Sequence, residues 1–104
     1  MPGIDFAVVQ AEVPILQVLR WAGYVPVACR GDQFRGPCPI HGSRSPRSRV
    51  FSVDSLRGVC YCHRCHFGGN QIHLWAMLHG LTVYHAALEL CDRGGIAVPW
   101  IDRW

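Results

Sequence analysis

Two close pairs of residues carry the chemistry most legible in this 104-residue chain: Cys38-Pro39-Ile40-His41 and Cys62-His63-Arg64-Cys65, with twenty residues between them. Two residues between ligands let the backbone turn so that its amides point at sulfur. Two such pairs supply the four thiolate or imidazole donors of a tetrahedral structural Zn²⁺. Cys38, His41, Cys62 and Cys65 are therefore the expected ligands of one zinc ion. Neighbouring residues compete for places in that set: Cys60 and His63 form another Cys-x-x-His, and His66 follows three residues on. Cys62 is favoured over Cys60 because residues 60 and 62 share one face of a strand and the turn begins only after Cys62. A redox Cys-x-x-Cys would sit beside a βαβ pattern, and none surrounds residues 62–65. A catalytic zinc would keep a position open for water and have a carboxylate base nearby. Four ligands close the shell, and Glu12 and Glu89 fall in predicted helices far off in sequence, so no enzymatic activity is expected. Cys29 and Cys91 read as ordinary buried residues, Cys91 on the apolar face of a helix.

The two pairs need short strands to present them. Residues 24–69 are rich in Gly, Pro, Arg and Cys, lack a helical period, and contain β-prone pieces at 33–36, 50–53 and 59–62. Asp54-Ser55-Leu56-Arg57-Gly58 reads as the hairpin turn between the last two, and Phe67-Gly68-Gly69 as a bend toward the next helix. The flanks are helical. One helix is predicted over about 12–22, with Pro14 in its first turn, Ile15, Leu16, Val18, Leu19 and Ala22 on its apolar face, Gly23 as cap, and a backward extension through 5–12. A second spans about 71–79, capped by Asn70 and Gly80, with Ile72, Trp75, Ala76 and His79 on one face. A third spans about 83–93 after Thr82, with Val83, Ala87, Leu88 and Cys91 as its apolar face and Gly94-Gly95 as its end. The expected fold class is α+β. It is one domain over residues 1–104, a zinc ribbon at about 33–69 with a small antiparallel sheet flanked by α-helices.

Read together, Phe34-Arg35-Gly36-Pro37-Cys38-Pro39-Ile40-His41, Ser45-Pro46, Phe51-Ser52-Val53, Cys62-x-x-Cys65 and Gly68-Gly69-Asn70 resemble the N-terminal zinc-binding domain of bacterial DNA primases. The likeness runs from the helix before Gly23 to Gly95-Ile96. The resemblance implies a zinc ribbon on an antiparallel sheet that binds single-stranded template DNA and helps position primer initiation. Two departures mark this chain. The segment between His41 and Phe51 is longer and richer in arginine than the family's usual loop, and no polymerase domain follows before Trp104. A stand-alone, non-enzymatic relative is the expectation, acting in replication, primer initiation or a mobile-element DNA transaction.

Charge placement points the same way. All ten basic residues are Arg, and seven of them lie between positions 30 and 64 against only Asp32 and Asp54. That excess of five positive charges in a chain of net charge +3 leaves the remainder negative by two. Single-stranded nucleic acid is held by a positive groove along its backbone and by aromatic faces on which bases stack. Arg35, Arg44, Arg47, Arg49, Arg57 and Arg64 are the candidate phosphate partners, and Phe34 and Tyr61 the candidate stacking residues. Phe51, sharing a strand face with Val53, is expected in the core, as is Trp75. A second functional class is a zinc-shaped adaptor that docks a polymerase, helicase or recombination protein through Trp100 and Trp104 of the tail. The N-terminus lacks the basic start and apolar run of a signal peptide, and no membrane-spanning stretch is visible, so a cytoplasmic location is expected.

Overall fold

The computed structural model describes residues 3–42 and 45–101. In chain order the elements are β1 (Gly3–Ile4), α1 (Phe6–Glu12), α2 (Ile15–Trp21), β2 (Ala28–Arg30), β3 (Gln33–Gly36), β4 (Phe51–Asp54), β5 (Val59–Cys62), β6 (Gly68–Gly69), α3 (Gln71–His79), α4 (Val83–Gly94) and β7 (Trp100–Ile101). Four helices and a five-stranded antiparallel sheet of order β2-β3-β4-β5-β6 make the α+β fold expected from the sequence. Among the described residues no helix is long and apolar enough to cross a membrane.

The first predicted helix is two helices. Pro14 lacks an N–H and pushes the residue before it out of the α region. Val13 accordingly lies outside the α region, at φ −119° and ψ 88°, so α1 stops at Glu12 and α2 begins at Ile15. At the far end of α2 the Tyr24 N–H reaches the Leu19 carbonyl at 2.9 Å and the Gly23 N–H reaches that of Arg20 at 3.1 Å. This is a Schellman closure, and it needs the positive φ of +82° that Gly23 supplies.

The sheet is a meander. The hairpin of β2 and β3 closes with Arg30 opposite Gln33 around Gly31-Asp32, with Gly31 at φ +62°. β4 begins one residue later than the predicted 50–53, and its turn to β5 is tied by the Gly58 N–H to the Asp54 carbonyl at 2.9 Å. The Asp54 side chain also accepts from the Arg57 N–H at 3.1 Å. Where a bend was expected at 68–69, the chain forms β6, paired with Cys60 and Tyr61 of β5. Burial alternates along the central strands: Phe51 and Val53 of β4 and Cys60 and Cys62 of β5 face the core, while Ser52, Asp54, Val59 and Tyr61 face outward.

Helices cover the inner face. Asn70 caps α3 by accepting from the Ile72 and His73 amides at 2.9 and 3.0 Å, and Thr82 caps α4 by accepting from His85 at 3.1 Å. The buried face of α4 is Ala86, Ala87, Leu90 and Cys91. Of the face predicted for it, Val83 is exposed and Leu88 half-buried, because the stripe lies one step further round the helix. Gln71 is the one buried polar residue among those described, and it works as a clamp. Its Nε2 donates to the carbonyls of Gln10 and Val13, both at 2.9 Å, tying the α1–α2 break to the start of α3. The approach to the metal pairs is equally tight. A Cβ on Gly36 would come within 3.0 Å of the Tyr24 ring and 3.1 Å of the Pro26 backbone, so only glycine lets β3 pass into Pro37-Cys38.

Candidate metal centre

Each metal pair leaves the end of a strand. Cys38 is the second residue after β3, and His41 lies in the turn over 39–42. Cys62 is the last residue of β5, and Cys65 lies in the turn that follows. That turn is closed from both sides. The Cys62 N–H donates to the Phe67 carbonyl at 2.8 Å, and the His66 N–H donates to the Cys62 carbonyl at 2.9 Å. Inside it the Cys65 N–H points at the Cys62 sulfur, 3.3 Å away. His66 completes the turn at φ +61°, the only residue other than glycine described in that region.

The ligand atoms of Cys38, His41, Cys62 and Cys65 all lie within 4.8 Å of one another. With Zn–S near 2.3 Å and Zn–N near 2.05 Å, a tetrahedron has an S···N edge of about 3.6 Å and an S···S edge of about 3.8 Å. The observed separation of His41 Nδ1 from Cys62 Sγ is 3.6 Å. Three sulfurs and an imidazole at this spacing, with a backbone amide directed at one sulfur, fit a closed structural zinc shell. Cys38 and Cys62 are buried, and His41 and Cys65 are exposed. Burial pushes the Cys38 thiol up to about 12. Burial acts on Cys62 too, but the amides of Cys65 and Arg64 and the neighbouring thiols outweigh it and hold that thiol below its ordinary value.

The competing donors are engaged elsewhere. Cys60 donates its thiol to the Gly69 carbonyl at 3.5 Å, and burial, reinforced by Cys38, raises it to about 12. His63 Nε2 lies 2.9 Å from the Ser52 hydroxyl, and His66 Nδ1 lies 3.1 Å from the Tyr61 hydroxyl. None of the six cysteines is in a disulfide. Cys91 is buried as expected, but Cys29 is exposed on the edge strand β2, where its thiol donates to the Gly31 carbonyl at 3.6 Å.

Strand parity sorts the candidate DNA contacts. Arg35, Ser52 and Tyr61 are cross-strand neighbours and share the outer face. Tyr61 is 39% exposed there, edge-on to the His63 ring at 5.0 Å between centroids. Phe34 pairs with Val53 one position along, which turns it to the inner face, where it packs against the core. It therefore leaves the stacking surface assigned to it from sequence. Arg35 Nε and Nη2 donate to the Arg49 carbonyl at 3.0 and 2.7 Å, so this arginine braces the loop before β4. Arg47, Arg49 and Arg64 are exposed near the metal end, whereas Arg57 sits in the turn at the opposite end of β4 and β5. Arg44 lies outside the described residues, as does Trp104. Trp100 folds back, since β7 pairs with β1 and its ring lies 6.4 Å from that of Tyr84 on α4. Sequence reasoning missed Arg30, which sits on the outer face of β2. Gly31-Asp32, a two-residue glycine loop, was the hairpin signal that would have placed it.

Comparison with known proteins adds the family context. The sequence model of the CHC2 zinc finger family matches residues 4–103. The chain is 32% identical over 103 residues to the DNA primase of Treponema pallidum (strain Nichols), covering 98% of this chain and 16% of that protein. It is also 32% identical over 75 residues to the DNA primase of Staphylococcus aureus (strain COL), covering 72% of this chain and 12% of that one. Among solved structures, the Aquifex aeolicus primase (zinc binding and RNA polymerase domains) matches with a TM-score of 0.72 at 26% identity, over 92% of this chain and 23% of that one. The chain thus spans less than a quarter of the length of each of these relatives.

Proposed function

The chain belongs to the CHC2 zinc-finger family, the zinc ribbon of DNA primases, and on that premise we propose that it is a one-domain, non-catalytic module that binds single-stranded DNA across the outer face of its sheet. It carries one structural zinc, and Cys38, His41, Cys62 and Cys65 are the residues that hold it. The ion supplies a rigid link between the end of β3 and the end of β5. The chain's own residues do the binding. Arg47, Arg49 and Arg64 neutralise phosphates along the loop and the knuckle turn, and Tyr61 offers its ring to a base.

The observation that carries this reading is the position of Tyr61. Tyr61 is 39% exposed on the outer face of the sheet, edge-on to His63, hydrogen-bonded to His66, and in one cross-strand row with Ser52 and Arg35. A stacked base contributes about 1 to 3 kcal/mol, more than one exposed charge, so the ring outweighs any single arginine. Tyr61→Ala should weaken binding of a single-stranded oligonucleotide by about five- to a hundredfold with zinc content unchanged. Arg47→Ala with Arg49→Ala should weaken it less but flatten the salt dependence, by about 0.7 in the log–log slope for each phosphate no longer neutralised. Fluorescence anisotropy reads both. Unchanged affinity in a zinc-replete Tyr61→Ala chain would remove the outer face from the site.

A further inference from the structure

On the outer face, at the β2 edge of the sheet, a groove of about 350 Å³ is lined by Arg30, Gln33, Arg35, Arg49 and Ser52, and one carboxylate, Asp54, borders it cross-strand from Gln33, to whose side chain it is hydrogen-bonded. Its three arginines come from three places: β2, β3 and the loop before β4. Three positive charges around one hollow repel each other, and an anion between them turns that repulsion into charge-assisted hydrogen bonding. The groove is also partly set in advance. The two hydrogen bonds from Arg35 to the Arg49 carbonyl fix the Arg35 guanidinium and leave its remaining N–H donors for a ligand. Arginine's planar fork suits the tetrahedral oxygens of phosphate.

We propose that this groove seats a phosphate group. Its surroundings connect it to the stacking residue. Arg35, Ser52 and Tyr61 occupy one cross-strand row, and neighbouring strands lie about 4.8 Å apart, so Ser52 in the groove wall is one strand from Tyr61 and the Arg35 backbone is about 10 Å from that of Tyr61. A nucleotide whose base lies on Tyr61 can place a nearby phosphate in the groove. The proposal rests on the nucleic-acid reading only for the source of the phosphate, which is either a diester within a strand or a monoester at a strand end.

The test titrates the zinc-loaded chain with pyrophosphate, following backbone and arginine Nε–H signals by NMR. Arg30→Ala and Arg57→Ala chains are run alongside, with zinc content checked in each. The expected result is saturable binding that moves signals of β2 and β3 and weakens about five- to tenfold in Arg30→Ala but not in Arg57→Ala. Equal weakening in both variants would mean diffuse charge and would overturn the seat, and so would the absence of pyrophosphate binding, whatever the DNA affinity. Pyrophosphate binding without any oligonucleotide binding would uphold the groove while the single-strand reading fell. Oligothymidylates with and without a 5′-phosphate identify the source. Sensitivity to Arg30→Ala in the phosphorylated strand alone assigns a terminal phosphate, and sensitivity in both assigns an internal one. Insensitivity in both would overturn the link to DNA.

Discussion

Cys62→Ser is expected to abolish folding of the sheet and reduce zinc content from one ion per chain to near none. Cys60→Ser, two residues away on the same strand face, should keep both. The magnitudes decide this. A structural zinc contributes about 10 to 16 kcal/mol of apparent binding energy at neutral pH, while a small domain is stable by only about 5 to 15 kcal/mol. Cys62 is fully buried, accepts a backbone hydrogen bond from Cys65, and ends the strand that pairs with both β4 and β6. Losing its thiolate removes a ligand and also unties the turn at the end of that strand. Cys60 makes only a thiol hydrogen bond to the Gly69 carbonyl, so its replacement costs about as much as any buried hydroxyl exchange, on the order of 1 to 2 kcal/mol. Metal content by colorimetric assay and far-ultraviolet circular dichroism read the outcome. Retention of one zinc by Cys62→Ser and its loss from Cys60→Ser would reverse the ligand assignment.

The second large effect belongs to the helices. Trp75→Ala should destabilise the zinc-loaded chain by about 3 to 5 kcal/mol, the usual cost of emptying a buried tryptophan site. Trp75 is 1% exposed. Its ring meets Trp21 of α2 edge-on at 6.3 Å and His79 at 4.2 Å, and the Arg93 guanidinium of α4 lies 5.1 Å from its centroid. Its Nε1 donates to Glu89 Oε1 at 3.1 Å. One side chain thus joins α2, α3 and α4. Met77, on the same helix but 55% exposed, should tolerate Ala within about 0.5 kcal/mol. Urea unfolding at saturating zinc measures both. A destabilisation under about 1 kcal/mol in Trp75→Ala would mean that the helical core does not depend on this side chain.

The metal pairs were legible because ligand chemistry restricts both residue type and spacing, and two Cys/His pairs twenty residues apart leave few alternatives. The caps at Asn70 and Gly80 were legible for a similar reason, since each satisfies a local backbone need that does not depend on distant packing. What failed was long-range. Cys29 looked like a buried thiol by residue type, yet its strand lies at the sheet edge, which only the strand order reveals. Phe34 and Tyr61 both looked like stacking residues, but the register of β3 against β4 and β5 puts them on opposite faces. β6 has no side chains to announce it. Glycine is what permits its pairing with β5, because the Tyr61 ring and the His73 side chain leave no room for more: added Cβ atoms would come within 2.9 Å of each. The α1–α2 break was visible in Pro14, and reading one helix across it gave too little weight to that residue's effect on Val13.

The most direct test of the central claim is fluorescence anisotropy of labelled single-stranded and duplex DNA of equal length against the zinc-loaded chain across a salt series, with a chelated control. The account predicts binding that favours the single strand, weakens steeply with salt, and disappears on chelation. No binding by the zinc-loaded chain at low salt would contradict it, as would equal binding with zinc removed.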